Sequence, residues 1–207
     1  MSYLDTFLPE VRPWAPGVPD QVAYKHIRLA AIEFCERTRL WRFEDDYDIT
    51  AEDSEAITTP GGSVLHDIEV VLLDGRELTP KATRDLDRIQ NGWRTGDLGT
   101  GIPAYFTQIE QNTIKLVPAG SGHLYLCLRL KPSQDAMDLP DFLAGEYREC
   151  LGWGALGRIL TVPGQSYSNP ELATFYMARF SAKLDALANK GTTGQQNAPK
   201  RMRASFF

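Results

Sequence analysis

The chain has 207 residues, 43% of them hydrophobic and 24% charged, which is enough apolar surface for one domain or two small ones and excludes disorder of the whole. Its 22 Lys and Arg against 27 Asp and Glu give a formal charge of −5, which argues against a general nucleic-acid binder, since those carry a cationic surplus to neutralise phosphates. From Lys190 onward, however, there are four basic residues and no acidic one, so an acidic body trails a basic end.

The opening MSYLDTFLPEV lacks the basic start and apolar core of a signal peptide, and no apolar run approaches the roughly 18 residues of a membrane span. Synthesis in the cytosol with no membrane partner is the expectation. Cys35, Cys127 and Cys150 are odd in number and far apart among apolar neighbours, which reads as three buried free thiols rather than disulfides or metal ligands.

A long helix is predicted from about Asp20 to Arg42. Pro19 and Asp20 start it, and Ala23, Ile27, Ala30, Phe34, Thr38 and Trp41 fall on one stripe at spacings of three and four. From about Phe43 to Ser133 the pattern turns to β. DYDIT alternates polar and apolar, and LHDIEVVLLDGREL sets two extended runs around Asp74-Gly75, a dipeptide suited to a hairpin. AYFTQIEQNTIKLVP and HLYLCLRLKP supply three more strands, TRDLDRIQNGW a short helix with Leu86 and Ile89 inward, and RTGDLGTGIP a mobile glycine-rich loop.

Asp141 to Thr161 reads as one helix carrying Phe142, Tyr147, Leu151, Ala155 and Ile159. Its glycines, at 145, 152, 154 and 157, imply close backbone contact with another element, because each costs about 1 kcal/mol against alanine. Asn169-Pro170-Glu171 then caps a last helix carrying Leu172, Phe175, Tyr176, Arg179, Phe180, Leu184 and Leu187, which runs to about Asn189 and ends at Gly191. The fold class is therefore α+β: a helical bundle of N- and C-terminal helices, an inserted antiparallel sheet or small sandwich, and a flexible C-terminal arm. By residues, 1–42 hold the N-terminal segment and first helix, 43–133 the β insertion, 134–190 the C-terminal helices and 191–207 the arm.

Catalytic chemistry finds little support. His26, His66 and His123 are the candidate bases, but no G-x-S-x-G elbow accompanies them. EDDYD would place Glu44, Asp46 and Asp48 on one strand face, an acidic row without a nearby histidine or lysine, which reads as solvated rather than metal-binding. DLGTG and PGGS lack the phosphate-cradling P-loop pattern. No catalytic residue, metal or cofactor is assigned. A hydrolase remains the enzymatic alternative, on EDDYD and the histidines.

The tail GQQNAPKRMRASFF cannot pack a core of its own. Either it is a solubilising tail, or it is an arm in which Lys200, Arg201 and Arg203 steer and Phe206 and Phe207 anchor on a partner.

Three segments together resemble head-to-tail adaptor (connector) proteins of tailed bacteriophages. They are FLPEVRPWAPGVPDQVAYKHIRLAAIEFCERTRLWR, then VVLLDGRELTPK with PAYFTQIEQNTIKLVPAG, then GALGRILTVPGQSYSNPELATFYMARFSAKLDALA. The family's steps fall at Ala31 to Thr38, at Asp74-Gly75 and at Pro163 to Ala173. The resemblance implies a virion protein at the capsid vertex: a homo-oligomeric ring of twelve beneath the portal, continuing a channel through which double-stranded DNA passes without specific binding. The bundle would form the ring wall, its glycine-lined helix in contact between neighbouring subunits. The β insertion would face outward or towards a downstream tail or nozzle protein, and the arm would dock on the portal. Arg37, Arg39 and Arg42 would meet either neighbouring carboxylates or DNA. A stopper or other tail-completion protein is the alternative within the same virion.

Overall fold

The computed structural model describes residues 1–50, 55–95 and 98–193. In chain order its first elements are β1 (Ser2–Tyr3), a 3-10 helix (Leu4–Glu10), α1 (Asp20–Thr38), β2 (Arg42–Ile49), β3 (Glu55–Ala56), β4 (Ser63–Leu73), β5 (Arg76–Glu77) and β6 (Thr79–Pro80). There follow α2 (Thr83–Ile89), β7 (Tyr105–Thr107), β8 (Thr113–Val117), β9 (Gly122–Pro132), β10 (Asp138–Leu139), α3 (Asp141–Glu146), α4 (Arg148–Ile159) and α5 (Pro170–Thr193). The chain is α+β. It divides into two compact units, one of Met1–Trp41, Gly62–Val64 and the segment from Lys131 onward, the other of Arg42–Gly61 and Leu65–Leu130.

In the helical unit, α1 buries Ala23, Ile27, Ala30, Phe34 and Thr38 as its stripe requires. It stops at Thr38, one turn short of the expected Arg42, because Arg39 takes a left-handed φ of 53° and donates its N–H to the Cys35 carbonyl at 2.9 Å. Trp41 is buried all the same, off the helix, so the apolar stripe ran past the true end.

The helix expected over 141–161 is two. Its backbone leaves the helical region at Tyr147 (φ −124°, ψ 13°), whose buried ring packs 4.8 Å from that of Phe34 and 6.2 Å from that of Phe142. Within α4 the glycines work inside the chain. A Cβ at Gly154 would lie 2.9 Å from both the Ala30 Cβ and the Phe180 ring, and one at Gly152 would lie 2.6 Å from the Glu10 Cβ. These contacts seat α4 on α1, α5 and the 3-10 helix, the close backbone contact with another element that the glycines imply.

The α5 cap forms as predicted: Asn169 Oδ1 accepts the Leu172 N–H at 3.1 Å, and Pro170 takes the first helical position. Ala173, Tyr176, Phe180, Leu184 and Leu187 are buried along one face. The helix continues through Gly191 to Thr193. A glycine in helical conformation costs only about 1 kcal/mol, and it ends a helix only when it turns left-handed.

In the β unit, one sheet has the order β2-β9-β4-β5 and the other β3-β8-β7-β6, in which β6 and β7 run parallel. That pair makes the second sheet mixed rather than antiparallel, and the helical unit has its own two-stranded ribbon, β1 with β10. The Asp74-Gly75 hairpin is present, with φ of 50° and 78°, although its second arm, β5, is two residues long. On α2, Leu86 is buried with Trp93 and Val117, while Ile89 is 50% exposed, contrary to expectation. The Trp93 ring takes the inner place, its Nε1 donating to Asp87 at 2.8 Å. Of the glycine-rich loop, Gly96 and Asp97 lie outside the described residues, and beyond them the Gly101 N–H bonds the Ala119 carbonyl at 2.8 Å.

Candidate assembly interface

Strand periodicity gives the β unit one polar sheet face. On β9 the even positions Leu124, Leu126, Leu128 and Leu130 are buried apolar, so His123, Tyr125, Cys127 and Arg129 share the other side. The antiparallel register sets Asp48 opposite His123, Asp46 opposite Tyr125, Glu44 opposite Cys127 and Arg42 opposite Arg129. Glu44, Asp46 and Asp48 do share an exposed face, as predicted. The expectation that this row has no basic partner is corrected: His123 Nδ1 lies 2.9 Å from Asp48 and Nε2 lies 3.2 Å from Asp46. That pairing is cross-strand, 75 residues apart in sequence with Asp48, and so out of reach of local reading. The hydrogen bond to Asp48 and the charges of both aspartates raise the His123 pKa.

At the other end of the same face Arg129, 3% exposed, donates to Glu69 at 2.6 Å, and Arg42 reaches the same carboxylate oxygen at 3.0 Å. Burial pulls the Arg129 pKa down, and the Glu69 charge opposes it. Burial and a hydrogen bond to Glu69 push the Cys127 thiol up to about 11. Cys150 is pushed up to about 12, and Cys35 further still, so all three free cysteines are buried thiols of low reactivity. Arg37, left open between carboxylates and DNA, pairs with Asp185 at 2.6 Å and Glu33 at 3.2 Å; Arg42 is taken by Glu69.

His123, Asp46 and Asp48 have side chains 53%, 66% and 89% exposed, an open strand face. His26 is half-buried in α1, its pKa lowered by burial and by Lys25 and Arg158. Among the described residues, no group of three or more His, Cys, Asp or Glu side chains is arranged to hold a metal ion. No described helix is long and apolar enough to cross a membrane.

What the helical unit does present is two surfaces suited to protein contact. On one, Trp14 and Phe175, 55% and 56% exposed, stand edge-on to the buried Tyr176 at 6.1 and 5.5 Å. Arg179 lies 3.9 Å over the Trp153 ring and 3.7 Å from Glu149. Aromatic rings with a stacked arginine are the residue types that dominate interfaces. The other surface is a groove of about 340 Å³ beside α1, lined by Leu4, Tyr24, Lys25, Arg28, Leu29 and Met137. Arg28 holds its far wall by donating to the Gln134 and Ala136 carbonyls, both at 2.8 Å.

Sequence reading counted Phe175 among the residues that track along α5 and gave Trp14 no role. Adjacent Phe175 and Tyr176 are about 100° apart around a helix, so they point to different sides of it, but periodicity alone does not say which of the two the core takes. The residues assigned to portal docking, Lys200, Arg201, Arg203, Phe206 and Phe207, lie outside the described residues.

No curated protein matches the chain. The family model described as SU10 adaptor protein matches residues 1–203, nearly the full length. The chain therefore belongs to the SU10 adaptor protein family, structural head-to-tail adaptors of tailed phages.

Proposed function

We propose that twelve copies of this chain form a ring at the virion neck, docked on the portal above through the arm beyond Thr193, residues 194–207, and offering a platform to the tail or nozzle protein below. The family match carries this reading, because it extends through the basic tail as far as Arg203 rather than stopping with the helices. An adaptor works between portal and tail proteins, and this chain's charge suits that place. Its body is acidic, and a channel wall that attracts few phosphates lets duplex DNA pass without capture. The basic, aromatic-ended arm supplies steering by Lys200, Arg201 and Arg203 and anchoring by Phe206 and Phe207. Ordering such an arm is costly unless a groove receives it, so docking and assembly are coupled. The helical unit would build the ring wall and the β unit would meet tail components.

The test is sedimentation of the chain with its phage's portal ring, full-length against a version ending at Thr193, which spares all of α5. Full-length protein is expected to co-sediment and the shortened chain to stay behind. Equal binding by both would leave the adaptor role standing and remove the arm from it.

A further inference from the structure

We infer that neighbouring copies join through two different faces of the helical unit, the aromatic face of one copy seated in the groove beside α1 of the next. This rests on the ring reading and names the surfaces that close the ring. The aromatic face has large rings that the core does not use, Trp14 and Phe175, fixed in place by edge contacts with Tyr176. The groove offers a complementary concavity with a flexible apolar edge, since Met137 is 70% exposed and an unbranched thioether repacks around an incoming ring.

Charge decides which surface meets which. Beside the rings stand Glu10 and Glu149, and Glu171 lies exposed on α5 four residues before Phe175; Arg179 is the cation among them. The groove is lined by two cations, Lys25 and Arg28, and by no carboxylate; of the carboxylates near its edge, Asp5 is engaged by the Tyr24 hydroxyl and Asp20 by Arg12 at 2.9 Å. Two aromatic faces brought together would set carboxylates against carboxylates, whereas face against groove sets them against Lys25 and Arg28. The two surfaces share no residue, so the contact is heterologous, and a heterologous contact repeated by rotation is the kind that closes a ring. A symmetric dimer through either face alone would leave the other unpartnered.

The experiment uses two single variants of the full chain, Ala178→Cys beside the aromatic face and Gln21→Cys in the groove, which keep every side chain argued above. The native cysteines are buried, so background labelling is low. Each variant, and their equal mixture, is bound to the portal ring and treated with a short bis-maleimide. The mixture is expected to give cross-linked dimer and neither variant alone to do so. In the mixture, Lys25→Glu on the Gln21→Cys copy should cut the yield several-fold, and Glu171→Lys on the Ala178→Cys copy should restore it. Cross-linking of Ala178→Cys with itself would overturn the pairing in favour of a symmetric one. A ring that sediments with the portal but gives no cross-link in the mixture would overturn the pairing and leave the ring; a chain that never assembles would overturn both.

Discussion

Helices in one unit and strands in the other handle small residues and charge in opposite ways. In the helical unit α4 gives up side chains: at Gly152 and Gly154 the neighbouring element occupies the space a Cβ would need. Two large rings of the same unit, Trp14 and Phe175, stand outside its core. In the β unit the apolar face of β9 is filled by four leucines, and the opposite face is charged, with Arg129 buried on Glu69 at one end and His123 exposed on Asp48 at the other. The helical unit thus has exposed rings to offer partners, while the charged sheet face pairs Arg129, Arg42 and His123 within the chain.

The largest effect expected from breaking this contrast is in the sheet. Glu69→Ala removes the carboxylate from a 3% exposed Arg129, and leaving a buried cation without that partner should cost about 3 kcal/mol, read as a shift of the denaturation midpoint. In the helical unit, Gly154→Ala forces a methyl to within 2.9 Å of Ala30 and Phe180, and overpacking of this kind should destabilise by about 1–3 kcal/mol despite alanine's better helix propensity. Gly145→Ala is the control on the same sequence pattern: nothing lies within 4 Å of its Cβ, so it should stabilise by up to about 1 kcal/mol. If both glycine variants shift the melting temperature the same way, the packing contrast within that segment is wrong.

The smallest effect is the pH response at the exposed end of the sheet face. The folded state raises the His123 pKa above its ordinary 6.5, chiefly through Asp48. The pair's stabilisation is therefore fully present below 6.5 and is lost as pH rises through the raised folded value. Stability of the wild type minus that of His123→Ala should fall over that window. A flat difference would mean that the ion pair is without effect in solution, as many surface pairs are.

Local chemistry was readable from the residues themselves. Asp74-Gly75 turns, Asn169 caps and the α4 glycines sit in close contact because each requirement lies within a few residues or in a side chain's absence. What escaped depended on distance or on ambiguous burial. Trp41 is buried on or off α1, so periodicity could not place the helix end, which the left-handed Arg39 decides. Ile89 lost the inner position to Trp93, four residues on, because the chain after α2 folds back over Leu86. His123 could be matched to the acidic row only through the β2–β9 register. The exposed rings were hidden for a related reason: an aromatic residue declares itself unused only once its neighbours are known to fill the core.

Most direct for the ring itself is the native mass of the portal complex with and without this chain. The expected gain is about 280 kDa, twelve times the 23.2 kDa of one copy. A gain of one or two copies, or none, would contradict a ring-forming adaptor.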